Sequence, residues 1–230
     1  IHDGVYASKQ SHRGICSESE WKPIKRDLEL CRQTGCAYHV CHISCKESVE
    51  LIRQAKAQGI DVTCETGPHY LILTDEDLKE DGRFKMNPPL RSKEDRQALI
   101  EGVLDGTIDM IATDHAPHTP EEKADFVKAP NGSIGMETSF AVCNTYLVKT
   151  GRMTLSQLVE KMSVNPARIL KINAGTLSVG ANADVVLINP DEEWTVDAGK
   201  LHGKSKNTPF KGRTLTGKVK KTILGGKVVF

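Results

Sequence analysis

The chain has 230 residues, 38% hydrophobic and 27% charged, with a formal net charge of +1 at pH 7. That balance suits a packed soluble core, and the lack of a basic block in either half argues against nucleic acid or an anionic membrane as a partner. No apolar run approaches membrane-spanning length, and no signal peptide is evident in a chain whose first residue is Ile1.

Ile1 to Cys16 is polar and reads as loop. Ser17-Glu18-Ser19-Glu20 has the spacing of a capping box and predicts a helix carrying Trp21, Ile24, Leu28 and Cys31 on one face. Tyr38 to Ser44 reads as a strand. Ser44-Cys45-Lys46-Glu47 repeats the box and predicts a helix that turns Val49, Ile52 and Ala55 inward and stops at Gly59. Ile60 to Glu65 is the next strand. Ser92-Lys93-Glu94-Asp95 opens a third helix, with Ala98, Leu99, Val103 and Leu104 as its stripe and Gly106 near its end. Asp109 to Thr113 is a third strand. His118 to Ile134, rich in proline, glycine and charge, reads as a long loop, and two or three helices fill Met136 to Leu170.

Alternating strands and capped amphipathic helices predict parallel βα units. About three such strands fall short of the eight that close a barrel. The expected fold is therefore α/β: the C-terminal part of a (β/α)8 TIM-type barrel in residues 1–172, followed by a small β-rich domain in residues 173–230. In that domain Gly175 to Leu177, Gly180 to Ile188 and Lys218 to Phe230 read as strands. Thr222 to Phe230 reads as a hairpin turning at Gly225-Gly226.

There are seven cysteines: Cys16, Cys31, Cys36, Cys41, Cys45, Cys64 and Cys143. The odd count, irregular spacing and lack of C-x-x-C predict reduced thiols in a cytoplasmic protein. Cys41-His42-x-x-Cys45 could be half of a zinc knuckle, but no second ligand pair has the matching spacing.

Asp114-His115-Ala116-Pro117-His118 follows an apolar strand. A carboxylate there can bind a metal with one oxygen and accept a proton from an attacking water with the other; the plainer alternative is a cap on the loop that follows. His42 ends the Tyr38 strand and pairs with Asp114 as a metal ligand. His39, at the other end of that strand, reads as structural, His115 as support for its neighbours, and the role of His69 stays open. His118 suits either a metal or a substrate carboxylate. Lys85-Met86-Asn87-Pro88-Pro89-Leu90-Arg91 has an extended backbone fixed by its prolines, and it would hold the Asn87 amide toward a cyclic amide. Asn131-Gly132 and Gly135 would let backbone groups approach a ligand.

With these residues in view, His42-Ile43-Ser44, Lys85 to Arg91, Ala112 to His118 and Asn131-Gly132-x-x-Gly135-x-Glu137-Thr138 resemble, in order, bacterial type I dihydroorotase of the amidohydrolase superfamily. Gly175 to Asp184 and Asn207-Thr208-Pro209-Phe210 extend the resemblance. It implies a metal-bearing barrel with zinc, two ions per complete site. It also implies reversible cyclisation of N-carbamoyl-L-aspartate to dihydroorotate in pyrimidine biosynthesis. His42 and Asp114 then correspond to zinc ligands, with Asp114 also the general base and acid. Asn87, His118, Asn131 and Gly132 correspond to substrate contacts, with His118 helping to hold the substrate carboxylate. The family's His-x-His-x-Arg, a bridging group and a further histidine find no match here. The chain is therefore expected to be part of a longer enzyme and inactive alone.

Two rival functions remain open: a related cyclic amidohydrolase (hydantoinase, dihydropyrimidinase or allantoinase), or a non-catalytic partner of aspartate transcarbamoylase. Partners expected beyond the small substrate are a second copy of the chain or aspartate transcarbamoylase. A small open α/β domain without catalysis is the blandest reading.

Overall fold

Strands β1 (Tyr38–Val40), β2 (Val62–Thr66) and β3 (Met110–Ile111) of the computed structural model, which describes residues 1–230, form a parallel sheet in the order β1-β2-β3. Parallel neighbours need a crossover. Helix α3 (Lys46–Ala57) makes the first, and the second carries α4 (Pro68–Ile72) and α5 (Lys93–Asp105); α2 (Glu18–Thr34) precedes β1. The predicted βα alternation is thus present. Ile24, Leu28 and Cys31 of α2, Val49, Ile52 and Ala55 of α3, and Leu99, Ile100 and Val103 of α5 are buried. Along β2 burial alternates, with Val62, Cys64 and Thr66 buried and Thr63 and Glu65 only partly so. This period of two puts Thr63 and Glu65 on one face.

The first compact unit comprises Ile1–Met136 with Ala198–Pro209. Its departures from expectation have tertiary causes. Residues read as loop include a short helix, α1 (Val5–Gln10). The Ser17 box does not form, because the Glu20 carboxylate is taken up by Ser44, Cys45 and Ser48. The Ser44 box does not form either: the Ser44 N–H and hydroxyl both go to Glu20, the cap position falls at Cys45, and the Lys46 N–H at the start of α3 goes to Asp95 Oδ1 at 2.9 Å. Only the Ser92–Asp95 box closes as predicted. Leu104, expected inward, is exposed.

The second unit comprises Glu137–Asp197 with Phe210–Phe230. Helices α6 (Ser139–Cys143) and α7 (Leu155–Val159) each run on into a π turn, Asn144–Val148 and Glu160–Val164, and α8 (Asn165–Ile169) follows. Strands β4 (Val185–Thr195), β5 (Thr214–Leu224) and β6 (Lys227–Val228) form an antiparallel sheet in that order. The β4–β5 register slips between Asn189 and Glu193, around Pro190, which has no N–H for the ladder. Buried Asn144 donates to the Pro190 and Thr216 carbonyls at 2.9 and 2.8 Å there. The predicted Gly225-Gly226 hairpin is present, with φ of 55° and 79°. Gly175 to Leu177 forms no strand.

Candidate metal centre

His42 follows β1 and Asp114 follows β3, and both hold left-handed backbone, with φ of 38° and 45°. Non-glycine residues rarely adopt that region, and such strain gathers at functional sites. The Nδ1 atom of His42 is buried and has no hydrogen-bond partner.

A third residue, whose role the sequence left open, joins them. His69 lies in α4, just beyond the end of β2. A Cβ at Gly67 would come within 2.6 Å of His69 Cε1, so the glycine makes room for the ring. His69 Nε2 lies 3.9 Å from Asp114 Oδ2 and is likewise buried without a hydrogen bond. Burial, then the nearby His42, lowers its pKa to about 3, so the imidazole is neutral at pH 7. Asp114 is pushed above its ordinary value by burial; His42 opposes that shift and Glu65 adds to it.

Two buried, unsatisfied imidazole nitrogens associated with one carboxylate are poorly explained as protein structure alone, since buried polar atoms are nearly always paired. They have the donor chemistry of a zinc site, so the residues present fit a metal ion. On the same strand ends, the ligand atoms of His39, Cys41 and Glu65 lie within 4.8 Å of one another. His39 Nδ1 contacts Thr63 Oγ1 at 2.7 Å and Nε2 contacts Glu65 Oε2 at 3.3 Å.

The segment after His42 is held from behind. Glu20 accepts the N–H groups of Ser44 and Cys45 at 2.8 and 3.1 Å and the Ser48 hydroxyl at 2.8 Å, and its carboxylate also accepts the Ser44 hydroxyl. Buried Arg91 pairs with the same carboxylate at 3.6 Å. Thr66 Oγ1 donates to the Ile43 carbonyl at 2.8 Å.

The predicted substrate-contact residues form a second group. His118 Nε2 donates to the Asn131 carbonyl at 2.9 Å, while Nδ1 faces Glu122 at 3.6 Å. Gly132 has φ 131°, and a Cβ there would lie 2.5 Å from the Ala116 Cβ. Its N–H donates to the Lys85 carbonyl at 3.0 Å and its carbonyl accepts from Asn207 Nδ2 at 3.1 Å. Lys123 Nζ donates to the Lys85 and Pro130 carbonyls at 3.2 and 2.7 Å, tying the long loop to the Lys85 to Arg91 segment. In that segment Asn87 is exposed between buried Met86 and Pro88, and the Pro88 carbonyl accepts from Tyr70 Oη at 2.8 Å. His115 Nδ1 accepts the Gly135 N–H at 3.1 Å, a supporting contact for the loop.

The Amidohydrolase family pattern matches residues 10–229. The chain is 52% identical over 233 residues to a dihydroorotase of Brevibacillus brevis, covering all of this chain and 55% of that protein. It is 52% identical over 232 residues to a dihydroorotase of Anoxybacillus flavithermus, covering 54% of it. The chain thus spans about half the length of these curated relatives. Among solved structures, the dihydropyrimidinase of Brevibacillus agri aligns with a TM-score of 0.87 at 28% identity, over 93% of this chain and 49% of that one. The L-hydantoinase of Arthrobacter aurescens aligns with a TM-score of 0.84 at 38% identity, over 91% of this chain and 48% of that one.

Proposed function

The chain belongs to the amidohydrolase family, and from that premise we propose that it carries part of the active site of a zinc-dependent dihydroorotase. The observation that carries the reading is 52% identity to proteins of that name over every residue of the chain, against 28% and 38% for the dihydropyrimidinase and hydantoinase structures. Residues 1–172 would contribute to the barrel and residues 173–230 to the β-rich domain.

In this reading His42, His69 and Asp114 hold metal, and a complete site takes two zinc ions. Zinc, when bound, supplies Lewis acidity to the amide carbonyl and lowers the pKa of the attacking water. Asp114 accepts the proton of that water at a carboxylate oxygen and delivers it to the ring nitrogen as the C–N bond breaks. The product of hydrolysis is N-carbamoyl-L-aspartate, and cyclisation runs the same proton path backwards. Burial raises its pKa above the ordinary carboxylate value, a shift that favours the proton-bearing form needed to return the proton to the ring nitrogen. His118, with the Asn131-Gly132 backbone, would orient the substrate carboxylate, and Asn87 would present its amide to the ring.

We infer a cytoplasmic setting from the seven free thiols; no helix is long and apolar enough to cross a membrane. Assembly with a second copy or with aspartate transcarbamoylase belongs to the same proposal, and co-elution of purified components tests it.

The catalytic test is reconstitution of this chain with the part of the Brevibacillus brevis dihydroorotase that it does not match. Dihydroorotate hydrolysis without hydantoin turnover is expected. Hydantoin or dihydrouracil turnover instead would move the assignment to the rival cyclic amidohydrolases. A well-assembled, metal-free and inactive complex would favour the scaffold reading.

A further inference from the structure

Cys31 and Cys36 face each other across the C-terminal end of α2. Helix α2 ends at Thr34, and Gly35 follows with φ 71° and donates its N–H to the Cys31 carbonyl at 2.8 Å. A left-handed glycine turns the chain back over the last helical turn. That reversal brings Cys36 Sγ to 3.5 Å from Cys31 Sγ. The two thiols differ in access: Cys31 is buried and Cys36 is exposed. They also differ in environment. Hydrogen bonds from Thr34 and Cys31 pull the Cys36 thiol below its ordinary pKa, while burial pushes Cys31 up. No other feature of the candidate metal centre uses either residue.

We propose that Cys31 and Cys36 form a reversible dithiol–disulfide pair that takes oxidising equivalents from a low-molecular-weight disulfide such as glutathione disulfide. Cys36 is the attacking thiol and Cys31 the resolving one. The Cys36 thiolate attacks one sulfur of the small disulfide, forms a mixed disulfide and expels one glutathione thiolate. Cys31 then loses its proton and attacks Cys36 Sγ, and the second glutathione thiolate leaves. Two protein thiols are oxidised, and one disulfide is reduced to two thiols. Closing the bond shortens the sulfur separation from 3.5 Å to about 2.05 Å, a movement within the reach of rotamer changes at an exposed turn. The pair is reduced at rest in a reducing compartment and closes when the disulfide pool rises. Closure would covalently join the end of α2 to the segment entering β1.

The test incubates the native chain with glutathione disulfide, blocks residual thiols with iodoacetamide, and maps peptides by mass without reduction. The expected result is a peptide lighter by two hydrogens that holds Cys31 and Cys36 linked, restored by dithiothreitol. Cys31→Ser should trap a glutathione adduct on Cys36. Cys36→Ser should leave Cys31 unmodified, because the buried thiol has no exposed partner to receive the oxidant. Cys31→Ala serves as the second variant if the serine at a buried site impairs folding. Exposed Cys16 and Cys41 report general thiol reactivity in the same samples. A wild-type chain that keeps glutathione on Cys36 without the internal link, or that modifies Cys16 and Cys41 while Cys31 and Cys36 both stay reduced, would overturn the proposal. Neither readout depends on dihydroorotase activity.

Discussion

His69 Nε2 stands 3.9 Å from Asp114 Oδ2 in a buried setting where neither a hydrogen bond nor a protonated ring accounts for it. A neutral imidazole facing a carboxylate, with the orphaned Nδ1 of His42 on the same strand ends, is the donor set proposed for zinc. His69→Asn should therefore lower zinc affinity beyond the roughly 10- to 100-fold typical of losing an outer partner. Competition with a chromogenic chelator measures it. Affinity unchanged from wild type would remove His69 from the centre.

The same burial makes a pH prediction. In the native chain His69 titrates near pH 3, against an ordinary value of 6.5. Between those values the unfolded chain binds a proton that the native site refuses. Stability must therefore fall as pH drops through that window, and this residue has no such effect above it. Urea midpoints of wild type and His69→Gln at pH 7 and pH 4.5 provide the check. The variant should lose less stability on acidification. Equal losses would mean that the native ring is protonated without penalty.

Asp114→Asn keeps the shape of the side chain and removes the proton acceptor. In the reconstituted enzyme, kcat for dihydroorotate should fall by about 10²–10⁴, the range for a general acid–base group. Because Asp114 is also proposed as a ligand, zinc content must be measured on the same sample. Full activity with full zinc would reassign the base to another residue.

Glu20 is predicted to matter more than its position on a helix face suggests. Its carboxylate gathers the donors of Ser44, Cys45 and Ser48 and neutralises buried Arg91. Glu20→Ala leaves that guanidinium without its carboxylate, a change that costs about 3–5 kcal/mol where buried pairs are broken. Chemical denaturation should show it. Glu29→Ala, on the exposed face of the same helix, should leave the midpoint in place.

This network also marks the boundary of what the sequence could reveal. Helices α2, α3 and α5 were legible because Ile24, Leu28, Val49, Ile52, Leu99 and Val103 recur at helical spacing, and that spacing reflects burial. Local caps were less legible. Ser17-x-x-Glu20 and Ser92-x-x-Asp95 have the same local pattern, yet only the second closes, since the Glu20 carboxylate has stronger long-range partners. Of the candidate centre, His42 and Asp114 were readable as polar residues ending apolar strands. His69 was legible in place but not in role: following Gly67-Pro68 beyond a strand end it falls near the same face, yet its approach to Asp114 depends on a short helix and on the space left by Gly67.

Gly132 offers a test of the loop that carries His118 and Asn131. Gly132→Ala combines a φ of 131° with a Cβ only 2.5 Å from the Ala116 Cβ, whereas Gly59→Ala meets a φ of 77° but nothing within 4 Å. Both variants bear backbone strain on the order of 1 kcal/mol or more. Only Gly132→Ala must also displace Ala116, and with it the turn that aims His118 at the Asn131 carbonyl. Thermal midpoints should fall in both. KM for dihydroorotate in the reconstituted enzyme should rise only for Gly132→Ala, because Gly59 lies between α3 and β2, apart from the proposed substrate contacts. Equal KM values in the two variants would separate the Gly132 loop from substrate binding and leave its glycine as a requirement of the turn alone.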